Sequence, residues 1–393
     1  MFDLDQVRQT IRKFGLDGWL LYDFRRSNVL ACRIVGLPEN SSYSRRWFYF
    51  VPASGEPVRL VHRIETGALD HLPGDKRIYL KRQELERELL KILGRGGKIA
   101  MEYAPRGNNP YVSRVDAGTV ELVSVCGATV VSSGDLVQYF EARWTPDQWA
   151  MHLEADRLNR QAYDIAWKFI ADSINAGRTI RETDVQDLIM SHFAANGLTT
   201  YHPPIVGVNA NSGDPHYAPV RGKDAEIRPN DWVLIDLWSK VDRPGGVYSD
   251  LTRCGYVGRE VPRRYREIFE IVAAARDAGI ACVRDAFAAG KPLQGWEVDR
   301  ATRKVIDDSG YGDYFVHRTG HNIGQETHGN GAHMDDLETR EERLVMRETC
   351  FSIEPGIYLP DFGVRSEIDV FVDAAGKVHV TGEPQTEALA ILA

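Results

Sequence analysis

The chain has 393 residues, 43% of them hydrophobic and 26% charged, enough for two domains with sizeable cores. Its formal net charge of −8 implies no generic affinity for nucleic acid or membrane surfaces; acidity of this size favours solubility and also suits a protein rich in metal-binding carboxylates. The five cysteines, Cys32, Cys126, Cys254, Cys282 and Cys350, are scattered with no CxxC pair. That argues against a disulfide framework or structural zinc and for a reducing compartment.

The opening MFDLDQVRQT carries neither the basic segment nor the apolar core of a signal peptide. No uninterrupted apolar run reaches about 18 residues, so no membrane span is expected and the cytoplasm is the expected location. Leu4, Val7, Ile11 and Phe14 recur at helical spacing, and Gly15 ends that first helix. GWLLY (18–22), WFYFV (47–51), VRLVH (58–62), KRIYL (76–80), KIAMEY (98–103) and VELVSV (120–125) read as strands, with a helix over 83–93. This alternation predicts an α/β domain over about the first 140 residues. GRGGK (94–98) lacks the spacing and the following Ser/Thr of a phosphate loop and reads as a turn.

The pattern changes at Thr145-Pro146-Asp147-Gln148, a capping box with proline at the first helical position. It predicts a long helix to about Asn175. Thr183-Asp184-Val185-Gln186 reads as the cap of a second helix ending at Gly197. Strands follow at 232–238 and 246–257, helices at 261–288 and 296–308, and strands at 349–359, 364–372 and 377–382. Helix, helix, strands is thus written twice, a hint of duplication, with the domain boundary placed at 142–146.

Charged residues inside these strands point to a site. Asp236 interrupts WVLIDLW, Asp250 sits in VYSDLTRC, Glu354 in FSIEPGIY and Glu367 in VRSEIDVFV. Carboxylates are almost never fully buried unless paired or bound to metal. One would be a strand-end charge, but four in two similar halves suggest a common centre neutralised by cations. His321 adds a nitrogen donor. This mostly hard ligand set suits Mn²⁺, Co²⁺, Fe²⁺ or Zn²⁺ with open positions for water. Two metals need about this many ligands if some carboxylates bridge.

HRTGHNIGQETHG (317–329) places His317, His321 and His328 in a segment broken by Gly320 and Gly324, which favours strand or loop over a helical zinc motif. With these residues in view, the chain resembles the pita-bread metallopeptidases: methionine aminopeptidase, prolidase, aminopeptidase P and creatinase. The order Asp…Asp…His…Glu…Glu is matched by Asp236, Asp250, His321, Glu354 and Glu367, with flanks SDLTRC (249–254), HRTGHNIG (317–324), IEPGIY (353–358) and GVRSEID (363–369).

The resemblance implies an α+β protein. Its duplicated pita-bread catalytic domain would span 145–393, and a smaller α/β creatinase-like domain 1–144. It implies that Asp236, Asp250, His321, Glu354 and Glu367 hold two divalent ions, Mn²⁺ foremost and Co²⁺, Zn²⁺ or Fe²⁺ otherwise, and that the chain forms a homodimer. It further implies that Glu354 shuttles a proton, that His328 and His216 meet the substrate, and that His317 is the additional histidine of the proline-specific branch. Arg365 stands where that branch carries an arginine that orients Glu367 or meets a substrate carboxylate. Arg340, 14 residues before Glu354, matches a second prolidase arginine that grips a dipeptide C-terminus, although ETREERLVMRE equally reads as a solvated charged face.

The expected activity is hydrolysis between an N-terminal residue and proline in short peptides, as an Xaa-Pro dipeptidase or Xaa-Pro aminopeptidase. Two departures bear on the substrate: Gly329 stands where the proline-specific members have an acidic residue, and SKVDRPGG (239–246) lengthens the Asp236–Asp250 interval. They leave room for a non-peptide amidase or organophosphate-type hydrolase. A non-catalytic binding protein of the same fold is the remaining alternative. Keeping all five ligands counts against a creatinase-like, metal-free mechanism. His333 and the other histidines read as ordinary, His333 as a surface-loop residue.

Overall fold

The computed structural model describes residues 2–41 and 43–393 and divides into two compact units, Met1–Glu141 and Ala142–Ala393. The first unit is built on a six-stranded sheet. Its spatial order is Asp75–Tyr79, Val58–His62, Trp47–Pro52, Gly18–Asp23, Lys98–Met101 and Thr129–Ser132. Both faces carry apolar clusters, one around Trp19, Leu21 and Trp47 and the other around Leu20, Phe48, Leu85 and Leu89. Gly18–Asp23 is therefore buried along its whole length, as a strand covered on both sides must be. VELVSV does not form a strand. It belongs to the helix Ala117–Val125, because Asp116 accepts from Thr119 N at 2.9 Å and Thr119 Oγ1 at 2.8 Å. That cap nucleates a helix whose Thr119 and Val123, four apart, face inward, overriding a β-branched composition. The strand follows instead at Thr129–Ser132.

In the second unit the predicted cap at Thr145 holds: its Oγ1 accepts from Gln148 N at 3.2 Å, and the helix runs Pro146–Asn175. The next helix begins earlier than expected, at Glu182. Asp184 accepts from Arg181 N at 2.8 Å, while Thr183 Oγ1 donates to Asp224 rather than capping the helix. Helices Arg263–Ala288 and Gly295–Asp308 complete the second pair. Two helices followed by strands thus occur twice, the mixed α and β architecture expected.

The first sheet of this unit centres on the antiparallel hairpin Trp232–Val241/Tyr248–Tyr256, in which Asp236 faces Thr252 and Trp238 faces Asp250. Side chains of alternate residues share a face, so Asp236, Thr252 and Asp250 point the same way as diagonal neighbours. Tyr163 of the long helix secures this hairpin from behind, its hydroxyl 3.1 Å from Ile235 O and 2.5 Å from Leu251 O.

The predicted strands 349–359 and 364–372 are each broken in two. Thr349–Ile353 and Ile368–Val372 pair within a four-stranded sheet, whereas Gly356–Tyr358 and Gly363–Arg365 form a separate ribbon. Glu354 and Glu367 lie at the breaks. Pro355 has no N–H to continue a ladder, and the amides of Glu354 and Glu367 instead reach Thr319 O at 2.7 Å and Thr252 O at 3.3 Å. The same breaks that interrupt the ladders turn both carboxylates toward the hairpin.

Candidate metal centre and its substrate face

Among the described residues, one ligand atom each of Asp250, His321 and Glu367 lie within 4.8 Å of one another, all three buried. His321 Nε2 lies 3.5 Å from Asp250 Oδ2 and 3.3 Å from Glu354 Oε1. Its Nδ1 lies 3.3 Å from Asn322 O, and its amide donates to Ser352 Oγ. Ser352 Oγ in turn lies 3.1 Å from Glu354 Oε1. Asp236 binds the guanidinium of Arg365 through Oδ2, while its Oδ1 is buried with no hydrogen-bond partner among the described residues.

The electrostatics match what such crowding requires. Burial, then Asp236 and Glu354, push the Asp250 carboxyl well above the usual range. Burial, then Asp250 and Glu354, do the same to Glu367. Asp236 is raised by burial and partly relieved by Arg365. Burial holds His321 below its ordinary value, which keeps the imidazole neutral and able to donate a lone pair. A buried, orphaned carboxylate oxygen, three mutually repelling carboxylates and a neutral imidazole together fit divalent cations with oxygen-rich coordination.

His317, His328 and Arg365 border this cluster. His317 Nε2 is 2.7 Å from the Tyr358 hydroxyl, which also accepts from Arg365 Nη1 at 3.0 Å. Burial, then the Arg365 charge, lower His317 to about 3. The His328 ring packs edge-on against His321 at 4.2 Å, and the residue is exposed. The neighbouring His321, then burial and Arg318, hold it near 2. His216 is exposed in the turn after Asp214, next to Pro215, whose carbonyl accepts from Arg365 Nη1 at 3.3 Å. Arg340 is not brought to the cluster by any contact described. It is exposed, lies 4.6 Å over the Trp296 ring, and approaches Glu342 at 3.4 Å.

Sequence reading missed Thr252, Tyr358, Arg318 and Asn322. Thr252 had a signal, since it stands two residues after Asp250 and shares its face. Tyr358 and Arg318 had none. His333 is not a surface residue: it is fully buried, and its Nδ1 accepts from Asn322 N at 3.0 Å. ETREERLVMRE is not a uniformly solvated face either, because Glu341 and Arg343 form a buried ion pair and Arg343 Nη1 donates to Asn330 O.

Both sequence departures acquire structural reasons. A Cβ at Gly329 would meet Asn322 Oδ1 at 2.4 Å. Asn322 is itself occupied, accepting from Gly331 N and donating to Cys350 O. SKVDRPGG continues the hairpin beyond the carboxylates and forms its tip, and Lys240 from it donates to Gln325 O at 2.6 Å. A cavity of 330 Å³ lined by Tyr201, Tyr248, Gln325, Glu326, Thr327 and His328 opens beside this link.

The sequence profile described as metallopeptidase family M24 matches residues 150–374, more than half of the chain, a range that contains all five candidate ligands. The chain belongs to metallopeptidase family M24. Among curated relatives of this M24 chain, an Xaa-Pro dipeptidase of Lactobacillus delbrueckii subsp. lactis is 33% identical over 205 residues, covering 52% of this chain and 51% of the relative. A putative dipeptidase, YkvY, of Bacillus subtilis is 33% identical over 260 residues, 66% of each chain. The M24 chain spans about half the length of the Lactobacillus relatives it matches. Solved structures share the fold along the whole chain. Dipeptidase PepE from Mycobacterium ulcerans superposes with a TM-score of 0.67 at 21% identity, covering 99% of this chain and 96% of that one. An Xaa-Pro dipeptidase from Bacillus anthracis gives 0.59 at 21% identity, covering 98% of both.

Proposed function

We propose that this M24 chain is a dinuclear-metal peptidase that cleaves the bond between an N-terminal residue and a following proline, in dipeptides or short peptides. The observation that carries this reading is the convergence of Asp250, His321 and Glu367 within 4.8 Å, flanked by Glu354 and by the orphaned oxygen of Asp236. The dipeptidase names of its relatives support it. Asp236, Asp250, His321, Glu354 and Glu367 would hold two divalent ions, Mn²⁺ first among Co²⁺, Zn²⁺ and Fe²⁺. When bound, such ions supply Lewis acidity, making water nucleophilic at neutral pH and polarising the scissile carbonyl.

The chain's own groups do the rest. Glu354 accepts a proton from the attacking water and returns it to the leaving nitrogen. His328 and His216 donate hydrogen bonds where the carbonyl oxygen gains charge. Tyr358 and Arg365 hold His317 and Asp236 in place. Proline's tertiary amide has no N–H, so a site of this kind recognises the bond by shape and by its N-terminal neighbour. Residues 1–144 form the creatinase-like domain and 145–393 the catalytic domain of this reading, which takes the protein as a cytoplasmic homodimer on the strength of family resemblance and cysteine usage.

The test is a mass-spectrometric cleavage assay with added Mn²⁺ comparing Ala-Pro with Ala-Pro-Ala peptides, chelated protein serving as control. Cleavage of the dipeptide alone makes it a prolidase, and cleavage of the longer peptides an aminopeptidase P. If metal binds and neither is cut, the peptidase reading fails and the amidase alternative replaces it.

A further inference from the structure

The carboxylate of Glu182 is fully buried in the first turn of the helix Glu182–Ala195, and nothing in the proposed chemistry uses it. Its Oε1 accepts from Val208 N at 2.8 Å and Asn211 Nδ2 at 2.9 Å. Its Oε2 accepts from the Tyr217 hydroxyl at 2.6 Å and Ala225 N at 2.8 Å. A carboxylate offers about four acceptor positions, and here all of them go to one loop. Val208 and Ala225 are the loop's two ends, and Asn211 and Tyr217 lie within it. Asp224 reinforces the closure, accepting from Thr183 Oγ1 at 2.6 Å, Arg181 Nε at 3.1 Å and Gly222 N at 3.0 Å.

The same loop is tied to the site at its far side. Gly363 N donates to Ser212 Oγ at 2.8 Å, and Arg365 Nη1 reaches Pro215 O. His216 therefore stands between a buried anchor and the Arg365 that binds Asp236. Its own ring is exposed, so the backbone must set its position. Tyr217, the next residue, carries the one side-chain hydroxyl in the loop that reaches Glu182.

We propose that Glu182 is a positioning residue: its carboxylate fixes loop 209–224 through charge-assisted hydrogen bonds, and Tyr217 passes that constraint to His216. The inference rests on the hydrolytic reading above for its kinetic consequence, but the anchoring itself is measurable without substrate. Glu182→Gln replaces one acceptor with a donor, which faces a backbone N–H in either orientation of the amide, that of Val208 or that of Ala225. Tyr217→Phe removes a single hydrogen bond and leaves the buried carboxylate three donors, so it keeps the question open to test if Glu182→Gln does not fold.

Two measurements on the full-length, metal-loaded protein decide it. In hydrogen–deuterium exchange, peptides covering 209–221 should exchange faster in Tyr217→Phe than in wild type, while 232–241 and 363–372 stay unchanged. In Xaa-Pro cleavage, Tyr217→Phe should lose roughly ten- to a hundredfold in kcat/KM through misplacement of His216, with bound metal unchanged. That loss should vanish when the same substitution is made in a His216→Ala background. Unaltered loop exchange, or an equal loss in both backgrounds, overturns the proposal. Wild-type protein that cuts no Xaa-Pro bond counts against the hydrolytic reading instead, and the exchange rates then judge the anchor alone.

Discussion

Thr252 Oγ1 donates a 2.7 Å hydrogen bond to Glu367 Oε2 and receives one of 2.9 Å from Arg365 Nε. One hydroxyl thus links a residue of the hairpin to both ends of the break between Arg365 and Glu367. It orients the carboxylate while Arg365 is committed to Asp236.

Outer partners of this kind tune metal affinity by orienting ligands. Thr252→Val keeps the shape and removes the hydroxyl. It should weaken divalent-ion binding by about 10- to 100-fold, read by isothermal titration of chelated protein with Mn²⁺, and Thr252→Ser should restore most of it. Wild-type affinity in the valine variant would show that Glu367 is oriented by other contacts.

Replacing Asp236 or Glu367 with alanine should abolish cleavage together with metal binding, measured as metal per chain after gel filtration. Either variant retaining full activity at normal metal content would sink the ligand assignment. Chelation of the wild type should lower its melting temperature, because an ion that binds only the folded state stabilises it by mass action.

Gly329→Ala should destabilise the protein by about 1–3 kcal/mol, the usual cost of overpacking, since the new Cβ would meet Asn322 Oδ1 at 2.4 Å. Asn322→Gly removes the obstructing amide at the cost of its hydrogen bonds to Gly331 N and Cys350 O, so the double variant should lose less than the sum of the two single losses. Additive effects in chemical denaturation would mean that the two positions do not share this space.

In the first unit, Glu102 is fully buried and accepts from Trp19 Nε1 at 2.7 Å, Asn28 Nδ2 at 2.7 Å and Ser133 Oγ at 3.1 Å. Burial outweighs these bonds and raises its pKa. A carboxyl raised on folding binds more protons in the native than in the unfolded state. Stability then falls as pH rises above the unfolded carboxylate value of about 4 and through the raised folded value. Glu102→Gln cannot ionise, so its melting temperature relative to wild type should improve from pH 4 toward neutrality. A constant difference across that range would show that folding leaves the Glu102 pKa unshifted.

Much of this was legible locally. Asp236 and Asp250 stand out because a carboxylate inside an apolar strand contradicts its surroundings, and the cap at Thr145 is written in four consecutive residues. VELVSV misled because its composition favours strand, and the deciding hydrogen bond belongs to Asp116, outside the run. His333 and Glu341 looked like loop polarity because the contacts that bury them, Asn322 N to His333 Nδ1 and His333 N to Glu341 Oε2, join residues 11 and 8 positions apart that meet only in the folded chain. Arg340 fitted a spacing of 14 residues before Glu354, but spacing carries no direction, and its side chain lies on Trp296.

The sequence by itself determined the candidate ligand types, their order and the helix–helix–strand repeat, because residue chemistry and hydrophobic periodicity are properties of neighbours along the chain. Tertiary structure alone decided that the strands break at Glu354 and Glu367, that Thr252 joins Arg365 to Glu367, and that Glu182 closes the His216 loop. Those contacts link residues far apart in the chain, 115 positions for Thr252 and Glu367. Only the packing of separate elements against one another, strand on strand and helix on loop, brings such donors and acceptors within hydrogen-bonding distance.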